Sequence, residues 1–178
     1  MEIVKLSFDT LKDMNKANEA FEIIGKLKPT FVNDEWTCTE ELYACPHLHS
    51  YPDEDGDYSL YIDNPDKAVF LAYFENECVG QIVLRKDWNK YAFVEDICVS
   101  KSSRGQGVGT ALIQKAIEWA KDKELYGLAL ETQDNNLLAC RFYLKCGFII
   151  GAVNTMLYKN FPKPWSDATA IFWYLKFK

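Results

Sequence analysis

The chain has 178 residues, 48% of them apolar and 26% charged, with a formal net charge of -6 and a pI near 5.0. That length and composition suit one domain, residues 1–178, with a sizeable core, and exclude a disordered chain. The acidic balance argues against a nucleic-acid-binding face, which would be basic, and is compatible with a cationic partner.

Eleven Phe, ten Tyr and five Trp point to an aromatic-rich core, with some rings left over to line a cleft. The six cysteines stand at 38, 45, 78, 98, 140 and 146, and no two have the C-x-x-C spacing of a zinc or redox motif. The first residues lack the basic stretch and apolar run of a secretory leader, and no run of about 18 apolar residues occurs. The expectation is a cytoplasmic protein with reduced thiols and no metal.

Alternation of apolar and polar residues predicts a first strand over 2–7. Asp9-Thr10-Leu11 then reads as a capped helix start. Thr39-Glu40-Glu41-Leu42-Tyr43 reads as the start of a second helix, stopped by Pro46. The segment 51–57 is acidic and turn-rich and reads as a loop. Strands are expected at 68–74 and 78–85, joined through Glu75-Asn76-Glu77 as a hairpin, and at 91–99. A helix is expected over 108–122, with apolar residues at 108, 111, 112, 116, 119 and 120. A strand at 126–131 follows, then a helix over 135–146 ended by Gly147. Late strands are expected at 148–158 and 168–177, separated by a loop holding Pro162 and Pro164. The alternation of helices and strands is that of a mixed α/β (α+β) domain.

The segment richest in chemistry is Arg104-Gly105-Gln106-Gly107-Val108-Gly109-Thr110, set between a strand and a helix. A helix start exposes unpaired N–H groups and the positive end of the helix dipole, so an anion binds there through several N–H bonds. Glycines let the backbone come close to that anion, and Arg104 adds a cation. The segment lacks the Gly-Lys-Ser/Thr of a nucleotide P-loop and the Gly-x-Gly-x-x-Gly of a dinucleotide fold. It reads as a diphosphate cradle, against the plainer possibility of a tight glycine turn.

Arg104-x-x-Gly107-x-Gly109 after an apolar strand resembles the acetyl-CoA signature of GNAT-family N-acetyltransferases. Asn136-x-x-Ala139-x-x-Phe142-Tyr143-x-x-x-Gly147-Phe148 looks like that family's second motif, which packs beside the pantetheine arm. This resemblance covers about residues 67–158. It implies a twisted mixed sheet of six or seven strands flanked by about four helices. The sheet would be splayed between its fourth and fifth strands, here 91–99 and 126–131, to admit CoA. It also implies that Ile97, Cys98 and Val99 pair with the pantetheine, and that Arg104 through Thr110, Asn136, Ala139, Phe142 and Tyr143 contact acetyl-CoA. A narrower resemblance, to streptothricin acetyltransferases, rests on Phe21-Glu22-Ile23-Ile24-Gly25-Lys26, Val94-Glu95-Asp96-Ile97, the run 130–136 and the tail Ala170-Ile171-Phe172-Trp173-Tyr174. It implies transfer of acetyl to the β-lysine amine of streptothricin, and so antibiotic resistance. One fold hosts many acceptors, so polyamines, protein amino groups, or CoA binding without turnover are the alternatives.

Acetyl transfer needs a neutral amine, a stabilised thioester oxygen and a proton for the departing thiolate. The motif puts Tyr143 in the last role, and a phenol stays protonated at pH 7; packing among Phe142 and Phe148 is the plainer reading. A carboxylate could hold the ammonium and help remove its proton, and Glu95, Asp96 and Glu131 are the candidates, unranked; a carboxylate that only binds the cation or pairs with a lysine is the equal alternative for each. Strict alternation would send Glu95 and Asp96 to opposite faces. Backbone N–H groups at 97–99 are the expected oxyanion donors. Cys98, in an apolar strand, reads as a small buried hydrophobe rather than as a nucleophile.

The acceptor wall is expected among Glu40, Glu41, Asp53, Glu54, Asp55 and Asp57, with Trp36, Tyr43, Tyr51, Trp88, Tyr91 and Trp165 as aromatic surfaces for a cation. Trp36, Tyr43, Asp96 and Glu131 are the leading substrate contacts. Each has a plainer reading as a solvated charge or packed ring. A monomer or a homodimer is compatible with the sequence, with strand 168–177 at a possible dimer contact.

Overall fold

The computed structural model describes residues 1–53 and 56–177. Seven strands form a mixed sheet, and two more form a separate ribbon. In chain order the strands are β1 (Glu2–Lys5), β2 (Phe21–Val32), β3 (Glu35–His49), β4 (Lys67–Phe74), β5 (Glu77–Lys86), β6 (Ala92–Val99), β7 (Gly127–Gln133), β8 (Ile149–Asn154) and β9 (Ala170–Lys176). Two α-helices occur among the described residues, α1 (Val108–Asp122) and α2 (Leu137–Lys145). The expected set of about four helices is thus corrected to two. The sites read as further helices are a 3-10 turn at Leu11–Asp13 and part of a strand.

The chain divides into two compact units. The first comprises 1–21, 50–128 and 177; the second comprises 22–49 and 129–176. In the first, β1, β4, β5 and β6 pair in that order, all antiparallel. The runs Ala68–Ala72 and Val79–Leu84 are buried without a break. Both faces are covered, which is why these strands are continuous apolar runs and not alternating ones. One face carries α1. A Cβ on Gly80 would come within 3.0 Å of Val108 and 3.1 Å of Leu112, so the helix settles on β5 only because position 80 has no side chain. The other face holds a cluster of Leu6, Tyr58, Val69, Leu71 and Val83, edged by Leu11, Met14, Tyr61 and Tyr73. Glu75 and Asn76 both have positive φ, the backbone of a two-residue hairpin turn.

β6 carries a bulge. Val83 pairs with Asp96 and Leu84 with Val94, leaving Glu95 as an extra residue. The two acids therefore do not diverge as strict alternation predicts. Glu95 reaches Arg85, and Asp96 reaches Gln81. Gln81, Val83 and Arg85 alternate along β5 and share one face. The expectation of opposite faces is corrected: the inserted residue turns both carboxylates toward the same side of the sheet.

In the second unit, β2 and β3 form the two-stranded ribbon. Residues 39–43, expected as a helix, lie inside β3. Asn33 and Asp34, both at positive φ, make the tight connection. The pairing this allows outweighs the weak helix-start pattern of Thr39-Glu40-Glu41. Pro46 is accommodated within β3, a strand of a two-stranded ribbon, where one missing donor is tolerated. β8 and β9 pair antiparallel, and the fully buried Trp173 lies on β9.

Candidate active site

In the first unit the glycine turn behaves as its composition requires. Gly105 and Gly107 have φ of 76° and 89°, a region that side chains other than glycine enter only with strain. A Cβ built on either meets no atom within 4 Å. The backbone is bare on that side, and the glycines answer to φ and to whatever approaches from outside. Gly107 is the N-cap of α1, and its carbonyl accepts the first helical bond from Ala111. The N–H groups of Val108, Gly109 and Thr110 therefore begin the helix without intrahelical partners. This donor set fits a diphosphate.

Arg104 is a brace as well as a cation. Its guanidinium donates to the carbonyls of Val99, Ala20 and Glu19, each at 2.9 Å. The Lys101 amide also donates to the Glu19 carboxylate, and the Gln106 amide to the Ser102 carbonyl at 2.8 Å. The turn is thereby fixed to the end of β6 and to residues 19–20.

The two acids of β6 have different surroundings. Glu95 accepts from the Tyr61 hydroxyl at 2.7 Å and pairs with Arg85 at 3.1 Å. Arg85 also meets Asp87 at 2.7 Å and lies over the Phe93 ring. The Glu95 charge is already matched inside the protein. Asp96 accepts from the Gln81 side chain at 2.6 Å, and no cation pairs with it among the described residues. Burial pushes its pKa above the ordinary value, against the opposing pull of Gln81 and the Ile97 amide. The Cys98 thiol is also pushed up by burial, with the Asp96 charge adding to it, which removes it as a thiolate nucleophile. Ile97 and Val99 pair with Ile82 and Gly80 of β5, the residues that face α1.

In the second unit, Glu131 lies on β7 with the Tyr158 hydroxyl 2.8 and 2.7 Å from its two oxygens. Burial raises its pKa, and the tyrosine partly offsets that. Asn136 caps α2 by accepting from the Ala139 amide at 3.2 Å. Tyr143 is 6% exposed and packs against Phe142, Phe148 and Trp173 at ring distances of 5.5, 5.7 and 6.0 Å. Gly147, at φ 88°, ends the helix.

Several expected acceptor contacts have partners within their own unit. Glu40 pairs with Arg141, and Glu41 with Lys28. Asp53 accepts from Asn18 at 2.7 Å, and Asp57 caps the 3-10 turn through Ser59. Trp36 packs on Phe31, Tyr51 on Phe21, and Trp165 on His49. Trp88 is 90% exposed at the β5–β6 turn. Tyr43 is partly buried, and its pKa is raised by burial and by Asp134. Glu54 and Asp55 lie outside the described residues.

Residues 32–148 match the model of the acetyltransferase (GNAT) family. The chain belongs to that family. It is an acetyl-CoA-dependent acyltransferase. It is 53% identical to streptothricin acetyltransferase A of Bacillus subtilis (strain 168), over 98% of this chain and 99% of that one. It is 44% identical to a streptothricin acetyltransferase of Escherichia coli over 61% of this chain and 62% of the other. A crystal structure from Bacillus anthracis str. Ames, in complex with acetyl coenzyme A, superposes with a TM-score of 0.91 at 38% identity, covering 99% of both chains.

This GNAT domain has polar partners around its acids that sequence reasoning missed: Gln81 for Asp96, with Asn15 holding Gln81 in turn, Tyr61 and Arg85 for Glu95, and Tyr158 for Glu131. One signal was present. Gln81 is a polar residue inside the apolar run Val79–Leu84, and a buried polar side chain there needs a partner. No cluster of three or more His, Cys, Asp or Glu arranged for a metal occurs among the described residues. No described helix is long and apolar enough to cross a membrane.

Proposed function

We propose that this GNAT enzyme moves the acetyl group of acetyl-CoA to the β-lysine amine of streptothricin by direct attack in a ternary complex, conferring resistance to that antibiotic. The observation carrying this reading is the 53% identity, over nearly the full length of both chains, to streptothricin acetyltransferase A. A net charge of -6 is in keeping with a cationic acceptor.

Acetyl-CoA supplies an activated thioester; the chain supplies grip, orientation and proton management. The α1 amides and the Gly105–Gly107 turn hold the diphosphate, with Arg104 keeping that turn rigid. Backbone N–H groups at 97–99 steady the thioester oxygen as charge develops on it. Asp96 holds the acceptor ammonium and takes its proton, directly or through water. One thing favours it over Glu95: its partner is the neutral Gln81 side chain, whereas Glu95 is already matched by Arg85. Glu131, also raised by burial, is the candidate carboxylate of the second unit. Tyr143 returns a proton to the leaving thiolate, and Trp36 and Tyr43 are aromatic surfaces for the cation.

The test measures thiol release from acetyl-CoA with streptothricin, spermidine and a lysine peptide in turn. The expected result is a kcat/KM for streptothricin at least about 100-fold above the other two. Turnover of spermidine or the peptide alone would reject the acceptor while leaving the acetyltransferase intact.

A further inference from the structure

Asp96 is one end of a chain of side chains that runs through the first unit. Gln81 is 1% exposed. Its Nε2 donates to Asp96 at 2.6 Å and to the Asn15 side-chain oxygen at 3.1 Å. Its Oε1 accepts from the Asn15 backbone N–H at 2.8 Å. Both N–H bonds and one acceptor position of a buried amide are thus used, so the amide has one orientation and cannot flip without leaving like atoms facing each other.

Asn15 is itself fixed. It has φ 64°, follows the turn Leu11–Asp13, and accepts from the Asn18 amide at 3.0 Å. That turn is tied to the sheet by Tyr73, whose hydroxyl donates to Asp13 at 2.6 Å, and Lys16 pairs with the same carboxylate. A long-range contact of 66 residues in sequence therefore sets the position of one carboxylate oxygen.

We propose that Gln81, anchored by Asn15, is a positioning residue for Asp96: it fixes one oxygen of the carboxylate, the Ile97 amide adds a backbone bond, and the remaining lone pairs meet the acceptor amine. The inference rests on the role given to Asp96 above. It adds a second consequence. The Gln81 bond favours the ionised carboxylate, which burial opposes, so its loss keeps Asp96 protonated to higher pH. The charged and titratable groups around Asp96 are Asp53, whose charge acts in the same sense as burial, and the Cys98 thiol on its own strand. The Glu95–Arg85 pair lies beside it on β6 and β5, and the Asp13–Lys16 pair lies beside Asn15.

The experiment is the pH dependence of kcat/KM for streptothricin in wild type, D96N, Q81L and N15G, with acetyl-CoA affinity and melting temperature measured on each. N15G suits the positive φ and keeps the backbone N–H to Gln81, so it removes only the side-chain anchor and guards against a Q81L variant that does not fold. Expected are a loss of at least about 100-fold in D96N and, in Q81L, a rise of the acid limb to higher pH. That rise means kcat/KM falls at least about tenfold near pH 6 and little near pH 9, with acetyl-CoA affinity unchanged. N15G should move the same limb in the same direction by less. A D96N enzyme as active as wild type would overturn the role of Asp96. An inactive D96N beside unshifted limbs in N15G and Q81L would leave that role standing and overturn the inference.

Discussion

At the scale of single residues, three carboxylates of similar chemistry have been given three environments. Glu95 is matched by Arg85 and Tyr61, Asp96 is held by a neutral amide, and Glu131 by a phenol. A neutral partner fixes a carboxylate without cancelling its charge, so Asp96 and Glu131 keep their attraction for a cation. In the proposed mechanism Tyr143 is the corresponding acid. Its ring is locked among Phe142, Phe148 and Trp173, so Y143F should keep the packing and lose only the hydroxyl. The expected outcome is a fall in kcat of roughly 100-fold or more, with acetyl-CoA affinity within about threefold of wild type. Steady-state kinetics with streptothricin and calorimetry with acetyl-CoA check it; an unchanged kcat would reject the proton-donor role.

At the scale of elements, the glycine turn and α1 work as one piece. G107A tests this. Alanine at φ 89° costs about 1–2 kcal/mol in backbone strain. Since a Cβ there meets no protein atom, the fold loses only that, while an approaching diphosphate meets the new methyl as well. Acetyl-CoA affinity is expected to drop by about tenfold or more, beyond what a modest fall in melting temperature accounts for. Calorimetry and thermal melts on the same variant separate the two effects. This turn, both α-helices and the β4–β5 hairpin were legible in the sequence because their signals are local: glycines, a 3.6-residue period, a two-residue turn. The β2–β3 ribbon was not. No residue of β3 is buried, so burial imposes little alternation there, and the acids after Thr39 imitate a helix start. The bulge at Glu95 was equally hidden, because register belongs to the partner strand.

At the scale of the whole molecule, the partly buried acids bear on folding as well as on catalysis. The pKa of Glu131 is raised in the folded state, so the unfolded chain gives up its proton first as pH rises. Stability therefore falls through the interval between the ordinary carboxylate value and the raised folded one, and the loss is complete above it. E131Q carries no such charge. Its melting temperature relative to wild type is expected to be higher at pH 8 than at pH 4, with roughly 2–4 °C for each kcal/mol in a chain of this size. A difference that does not change with pH would show that burial of Glu131 places no load on the charged form. The two GNAT motifs revealed the family from short segments. The partners of the acids stayed out of view because they are brought in by long-range contacts, Asn15 to Gln81 and Tyr158 to Glu131.

The extra residue in β6 also limits how this enzyme can change. Substitution at 95 or 96 alters which group stands there, but not the direction in which the position looks. Only gaining or losing a residue in that strand would rotate the pair apart, and it would carry Ile97 to Val99 with it. A lineage drifting by point changes can therefore retune these acids endlessly while their aim stays inherited.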